Sequence, residues 1–269
     1  MRLQIFFRWA LVGACALGAT ACQSPAPPPA APAASANALS DDGHGEGYEF
    51  RIRYPELAPE WAPLEQALRA FAAQRKQDLI AGRDAGDDRA GAPAVLDLEF
   101  NVARRTEDFV SALAQGSVHV GNRNEPLASS FVLHPASHTL LTLGDLFADA
   151  DKALTALSAE TARQLEGRYE AALRQTGDSR SLEPALAKMR AGVERGTQPT
   201  ATNFAVWLVD GIDSKAIGLT LIFPQAQLGM TTGGEQQVEV PAKVFYDLLK
   251  PEYRDAFSVD VQELANGVR

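Results

Sequence analysis

A chain of 269 residues with 22% charged side chains and a net charge of −9 can bury a sizeable core. It is too acidic to offer nucleic acid or an anionic lipid surface the basic patch that each requires. Its two cysteines, Cys15 and Cys22, both fall near the start, so the body of the protein has to be stable without a disulfide.

The chain opens on Arg2 and Arg8 with no acid between them, followed by an uncharged run over residues 9–21 and then Cys22. A positive start, a short apolar core and small residues before a cut mark a secretory signal. The run is too short for a membrane span, which needs roughly 20 apolar residues. Ala19-Thr-Ala-Cys22 resembles the lipobox, so residues 1–21 read as a lipoprotein signal peptide and Cys22 as the acylated residue that anchors the chain in a lipid bilayer. Val12-Gly-Ala-Cys15 is a rival site that would leave a very short apolar core. Loss of Arg2 and Arg8 with the signal takes the charge from −9 to −11. Residues 22–47 read as a disordered Pro/Ala-rich linker. The part over 23–36 is nearly all Ser, Pro and Ala, a semi-rigid spacer at about 3 Å per residue. Residues 37–47 continue it as polar loop. Ser24, rather than Asp, after the anchor points to the outer membrane, with the protein facing the periplasm.

Residues 48–269 read as one folded domain. Tyr48-Glu-Phe-Arg-Ile-Arg-Tyr54 alternates apolar and polar side chains, the period of a half-buried strand. Trp61, Leu64, Leu68, Phe71 and Leu79 recur at helical spacing, with Arg75 on the same stripe. Pro63 fits only the first turn of such a helix, and Gly82 suits its end. Residues 83–93 read as polar loop. Leu96-Asp-Leu-Glu-Phe-Asn-Val102 is the clearest strand. Residues 109–120 and 127–133 add two more around Gly121-Asn-Arg-Asn124, which makes an antiparallel meander.

Leu143-Gly-Asp-Leu-Phe147 opens a helical region in which Leu157, Leu165, Tyr169 and Leu173 share a face, with Ser158 as N-cap. A second helix covers 182–193, capped by Ser181. Residues 203–209 and 216–223 flank Asp210-Gly211, a hairpin-turn signal. Residues 236–240 form a last strand, and Pro241 starts a helix through Leu249. Strands, then helices, then strands again give an α+β fold, a mainly antiparallel sheet with helices packed on it.

Chemistry is sparse. His134-Pro-Ala-Ser-His138 has metal-like spacing, but Pro135 argues against the helix that would put both rings on one face, and no third ligand is marked out. The arrangement reads as a polar turn, His119 as a strand residue and His44 as part of the linker. Asp41-Asp42 and Asp87-Asp88 read as solvated turn residues, because paired acids need a cleft that splits their pKa values. No nucleophile elbow, phosphate loop or dinucleotide fingerprint is present, so neither cofactor nor metal is expected. Gly229-Met-Thr-Thr-Gly-Gly234 precedes a strand and not the helix N-terminus that phosphate binding needs.

Phe50-Arg-Ile-Arg-Tyr-Pro-Glu-Leu57 and the helix after it, Leu140-Leu-Thr-Leu-Gly-Asp-Leu-Phe147, Asn203-Phe, Gly218-Leu-Thr-Leu-Ile-Phe223, Gln227-Leu-Gly229, Gly233 and Val238-Glu-Val-Pro241 together resemble the RsiV-like extracytoplasmic domain family, over most of residues 48–249. That family occurs as the outer part of an anti-sigma factor whose domain binds lysozyme, before a peptidoglycan deacetylase, and in stand-alone lipoproteins. The resemblance implies a stand-alone lipoprotein here, with neither a sigma-binding segment nor a deacetylase module. Where the family tends to have tyrosines, this chain has Ala226 and Thr231.

The expected function is a non-catalytic binding module in the cell envelope, for a muramidase-type (lysozyme-like) protein or peptidoglycan. Its candidate binding loop runs over 225–234, through Gln225, Gln227, Gly229, Thr231, Gly233 and Gly234. The competing readings are a metal-dependent enzyme acting on peptidoglycan through His134 and His138, and a structural partner in an envelope complex.

Overall fold

The alternation over residues 48–54 does make a strand, and so does the stretch before it. The computed structural model describes residues 39–84, 93–176, 182–212, 214–224, 226–229 and 234–259. Cys15, Cys22, Asp87, Asp88 and Ser181, and with them the signal and the Pro/Ala-rich stretch, lie outside the described residues.

Strand β1, Ser40–Gly45, lies antiparallel on β2, Tyr48–Arg53. This corrects the expected loop over 37–47. Aspartate and glycine are poor strand formers, and tertiary contacts override that preference. The Phe50 ring occupies the space a Cβ on Gly43 would take, 2.4 Å away, and the Tyr48 ring does the same at Gly45, 2.3 Å away. Asp41 and Asp42, expected as free turn residues, pair instead with Lys76 (2.6 Å) and Arg53.

A 3-10 turn at Pro59–Trp61 leads into helix α1, Ala62–Asp84, whose Leu64, Leu68, Ala72 and Leu79 are buried on one stripe. Arg75, beside that stripe, lays its guanidinium 5.3 Å from the Phe71 ring and bonds Asp78 at 2.9 Å. The helix carries the chain from β2 to β3, Ala94–Arg105, which runs parallel to β2, as such a crossover requires. From there β4, Val110–Val120, β5, Arg123–His134, and the short β6, Thr139–Leu141, form the expected antiparallel meander. The result is a six-stranded sheet in the order β1 to β6. Ile52, Leu96, Leu98, Phe100, Ala112 and Ala114 on its inner face pack against α1.

A 3-10 turn at Leu143–Leu146 then leads to α2, Ala150–Thr176. The helix begins two turns before Ser158, because Asp149 accepts the Lys152 N–H at 3.1 Å and caps it. Ser158 sits inside the helix and donates to the Thr197 carbonyl beyond α3, Leu182–Gly196. A second sheet, β7-β8-β9, follows: Trp207–Ile212, Lys215–Phe223 and Gln236–Pro241, all antiparallel.

Asp210-Gly211 is not its turn. Pairing continues to Ile212 opposite Lys215, with a bulge between Asp210 and Gly211. Asp210 is held there by Arg104 (3.1 Å) and the Thr220 hydroxyl (2.5 Å), and a Cβ on Gly211 would lie 2.2 Å from Thr106 Cγ2. The expected helix over 241–249 is two 3-10 turns, Ala242–Val244 and Tyr246–Leu248, before a short α4, Pro251–Arg254. The chain straightens at Leu249 to bridge Phe147, and the Lys250 N–H reaches the Leu146 carbonyl at 2.9 Å. Pro251 also disfavours helical geometry at the residue before it.

The fold is therefore α+β with a mainly antiparallel sheet, as the element order implied. No helix among the described residues is long and apolar enough to cross a membrane. The second sheet, α2, α3 and the C-terminal turns share one core, built on Leu157, Leu165, Phe204, Phe223 and Phe245.

The two sheets join through hydroxyls. Edge strand β7 crosses the outer face of the first sheet, where its Trp207 N–H donates to Ser130 Oγ (2.8 Å) and its Val209 N–H to Ser111 Oγ (3.0 Å). Leu113 packs with Val206, Leu208 and Ile222 in the same contact. On the far edge, Gln164 and Arg168 of α2 donate to the Glu239 and Gln237 carbonyls of β9, at 2.8 and 3.0 Å. Replacing buried Ser111 by alanine should destabilise the protein by about 1–3 kcal/mol, the cost of a buried N–H without a partner. The check is a lower urea midpoint at unchanged slope. An unchanged midpoint would mean that this N–H finds water.

Candidate binding face

Successive side chains of a strand point to opposite faces, so every polar residue in the alternations of β2 and β3 lands on one side. The register then sets those residues side by side. Asp42, Arg51, Asp97 and Ser117 form one row across β1 to β4, and Ser40, Arg53, Glu99 and Gln115 the next. Strand β7 covers only the other half of this outer face, around Ser111, Leu113 and Ser130.

The half left uncovered among the described residues carries a shallow concavity of about 270 Å³ lined by Arg51, Arg53, Asp97, Leu98, Glu99, Gln115 and Gly116. Arg51 Nε lies 2.8 Å from Asp97 Oδ1. Arg53 is opposite Glu99 in register but pairs with Asp42, whose hydrogen bond holds the guanidinium still more firmly in its protonated form. Glu99 is left without an ion pair among the described residues. The floor is tight, because a Cβ on Gly116 would lie 2.0 Å from the Asp97 carbonyl oxygen. At the rim, Gln115 Nε2 and Gln237 Nε2 donate to Glu235 Oε1 at 3.5 and 3.3 Å.

Glu235 follows directly on the candidate loop, so the loop's end borders this concavity. Gln225, Thr231 and Gly233 lie outside the described residues. Gly234 (φ +64) is exposed. The other end of the loop is turned inward. Gln227 donates its amide to the Gly196 and Asn203 carbonyls, both at 2.8 Å, and Leu228 is buried. Gly192 and Gly196 of α3 make this possible, since Cβ atoms there would lie 2.3 and 2.8 Å from the Leu228 and Gln227 carbonyl oxygens. Gly229, at φ +63, needs its glycine to turn. Gln227 thus ties the loop to α3.

The histidines are dispersed. His134 Nδ1 shares a hydrogen bond with Ser137 Oγ at 2.8 Å, and its ring lies 5.8 Å from Phe109 and 5.6 Å from Tyr253. His138 follows on a 3-10 turn with φ 52 and is exposed. His119 meets Ser117 on the outer face, and His44 lies on β1. No group of three or more His, Cys, Asp or Glu among the described residues is placed to hold a metal. Asp145 is held below the usual carboxylate range by hydrogen bonds from the Thr142 hydroxyl (2.6 Å) and N–H (2.7 Å), a capping box at the 3-10 turn.

Asp97, Glu99 and Gln115 belong to no motif, and Arg51 and Arg53 enter one only as part of the stretch 50–57. For all but Gln115, which is on β4, the signal lies in the polar positions of two alternations whose apolar positions mark the core.

Among solved structures the chain is similar to a DUF3298-family protein from Pseudomonas aeruginosa PAO1, at 14% identity and TM-score 0.55, over 82% of this chain and 95% of that one. It is also similar to a DUF3298-family member from Bacteroides fragilis, at 12% identity and TM-score 0.45, over 80% and 92%. The first likeness extends to the fold alone. No family model matches the sequence, and no curated protein does.

Proposed function

We propose that the chain is an envelope lipoprotein, anchored in the outer membrane through Cys22 and facing the periplasm, whose domain is a non-catalytic binding module. The observation that carries this reading is the uncovered half of the outer sheet face. It is a concavity bordered by charged side chains beside a covered half, with the Glu99 carboxylate free of any ion pair among the described residues and Gln115 and Glu235 joined at its rim. The RsiV-like sequence signatures support a muramidase-type protein or cell-wall glycan as that ligand.

The test uses the full chain, recovered from membranes in detergent, as bait for envelope extract and for purified lysozyme, with mass spectrometry of what is retained. Retention of a muramidase in near-equal amount supports the reading. Recovery of the chain in the soluble fraction would remove the anchor. Release of new reducing ends from peptidoglycan would replace binding by catalysis.

A further inference from the structure

We propose that the uncovered half-face takes an extended, lysine- or arginine-bearing polypeptide segment, laid across β2 to β4 beside β7. Main-chain N–H groups of the segment donate to side-chain oxygens of the sheet. The inference rests on the binding-module reading and names its partner as a protein segment.

The molecule already contains the precedent. On the covered half, a strand crosses the same face, and its Trp207 and Val209 N–H groups are received by Ser130 and Ser111. The uncovered half continues that surface along the same strands. It presents further side-chain acceptors in the Glu99 carboxylate and the Gln115 amide oxygen. Beside them lie the Ser117 hydroxyl, which also meets His119, and the Asp97 carboxylate, which Arg51 pairs. Gly116 keeps β3 and β4 close beneath them. Among the described residues no aromatic ring lines the concavity, so they give a sugar nothing flat to stack on.

Charge selects the kind of segment. Arg51 and Arg53 are already matched by Asp97 and Asp42, while Glu99 and Glu235 have no ion pair among the described residues. With the chain at −9, the surplus here favours a cationic partner.

The experiment measures binding of the full chain to three probes: a labelled decalysine peptide, the same peptide with its backbone amides methylated, and a tetramer of N-acetylglucosamine. Decalysine should bind, and the methylated peptide, which keeps its ammonium charges but has no main-chain N–H donors, should not. The double variant E99Q/E235Q should weaken decalysine binding about tenfold, whereas E183Q/E252Q, which removes the same charge from α3 and α4, should change it less than about twofold. Equal losses in both double variants would mean bulk attraction only and overturn the proposal. So would undiminished binding of the methylated peptide, or binding of the sugar tetramer in place of decalysine. An envelope partner held equally by the wild-type chain and E99Q/E235Q would also overturn it, yet leave the binding-module reading intact.

Discussion

Replacing Gly116 by alanine should destabilise the protein by about 3 kcal/mol, the upper part of the range for forcing atoms into a packed site. The added Cβ would sit 2.0 Å from the Asp97 carbonyl oxygen and 3.0 Å from Leu98 Cα, both backbone, so no side-chain rotation relieves the clash. Strands β3 and β4 would have to part where Leu98 faces Gly116. The check is urea unfolding, together with amide exchange at Asp97 and Leu98, which should quicken. Because this pair of strands floors the concavity, any ligand of the outer face should be lost at temperatures where the variant is still folded. A stability equal to wild type would mean that the two strands are further apart than described.

Phe109→Ala should have an effect as large, about 3–5 kcal/mol for a truncated core aromatic, which lowers Tm by about 10 °C in a domain of this size. Phe109 is 1% exposed and opens the way into β4, with its N–H bonded to Thr106 Oγ1 at 3.0 Å. Its ring lies 5.5 Å from Phe257, 6.1 Å from Tyr253 and 5.8 Å from His134. The first sheet thereby touches the C-terminal turns through Phe109 and, beside it, His134, whose ring lies 5.6 Å from Tyr253. Scanning calorimetry gives the magnitude. Amide exchange at Ser258, which donates to the Ala216 carbonyl at 2.7 Å, shows whether the C-terminal segment loosens with it. A Tm within a degree or two of wild type would remove Phe109 from the core.

What could be read without coordinates follows from how local its cause is. The stripe of α1 and the alternation of β3 were legible, because Leu64 and Leu68, or Leu96 and Leu98, are buried by the period of their own element. The start of α2 was not, since Ser158 answers to a carbonyl 39 residues away. Strand β1 was illegible for the same reason: its aspartates and glycines say loop, and only Phe50, Tyr48, Lys76 and Arg53 make a strand of them. The candidate loop was legible as a loop, but not that Gln227 would be drawn inward by the glycines of α3. The binding face stands between these cases. Each strand announces which of its residues share a side, but the row Asp42, Arg51, Asp97, Ser117 exists only once a helical crossover has set β3 beside β2.

The hydroxyls and amides along the borders of the second sheet have a consequence for the protein at high concentration. A bare strand edge is a template on which another chain can add its own strand, and this is how ordered aggregates begin. Here β7 has donors already taken by Ser111 and Ser130, and β9 has carbonyls already taken by Gln164 and Arg168, so neither edge of the second sheet is left bare. The edges of the first sheet are β1, with two aspartates and two glycines in six residues, and β6, only three residues long. Neither is a sequence on which fibrils grow, and the fold achieves this without closing either sheet into a barrel.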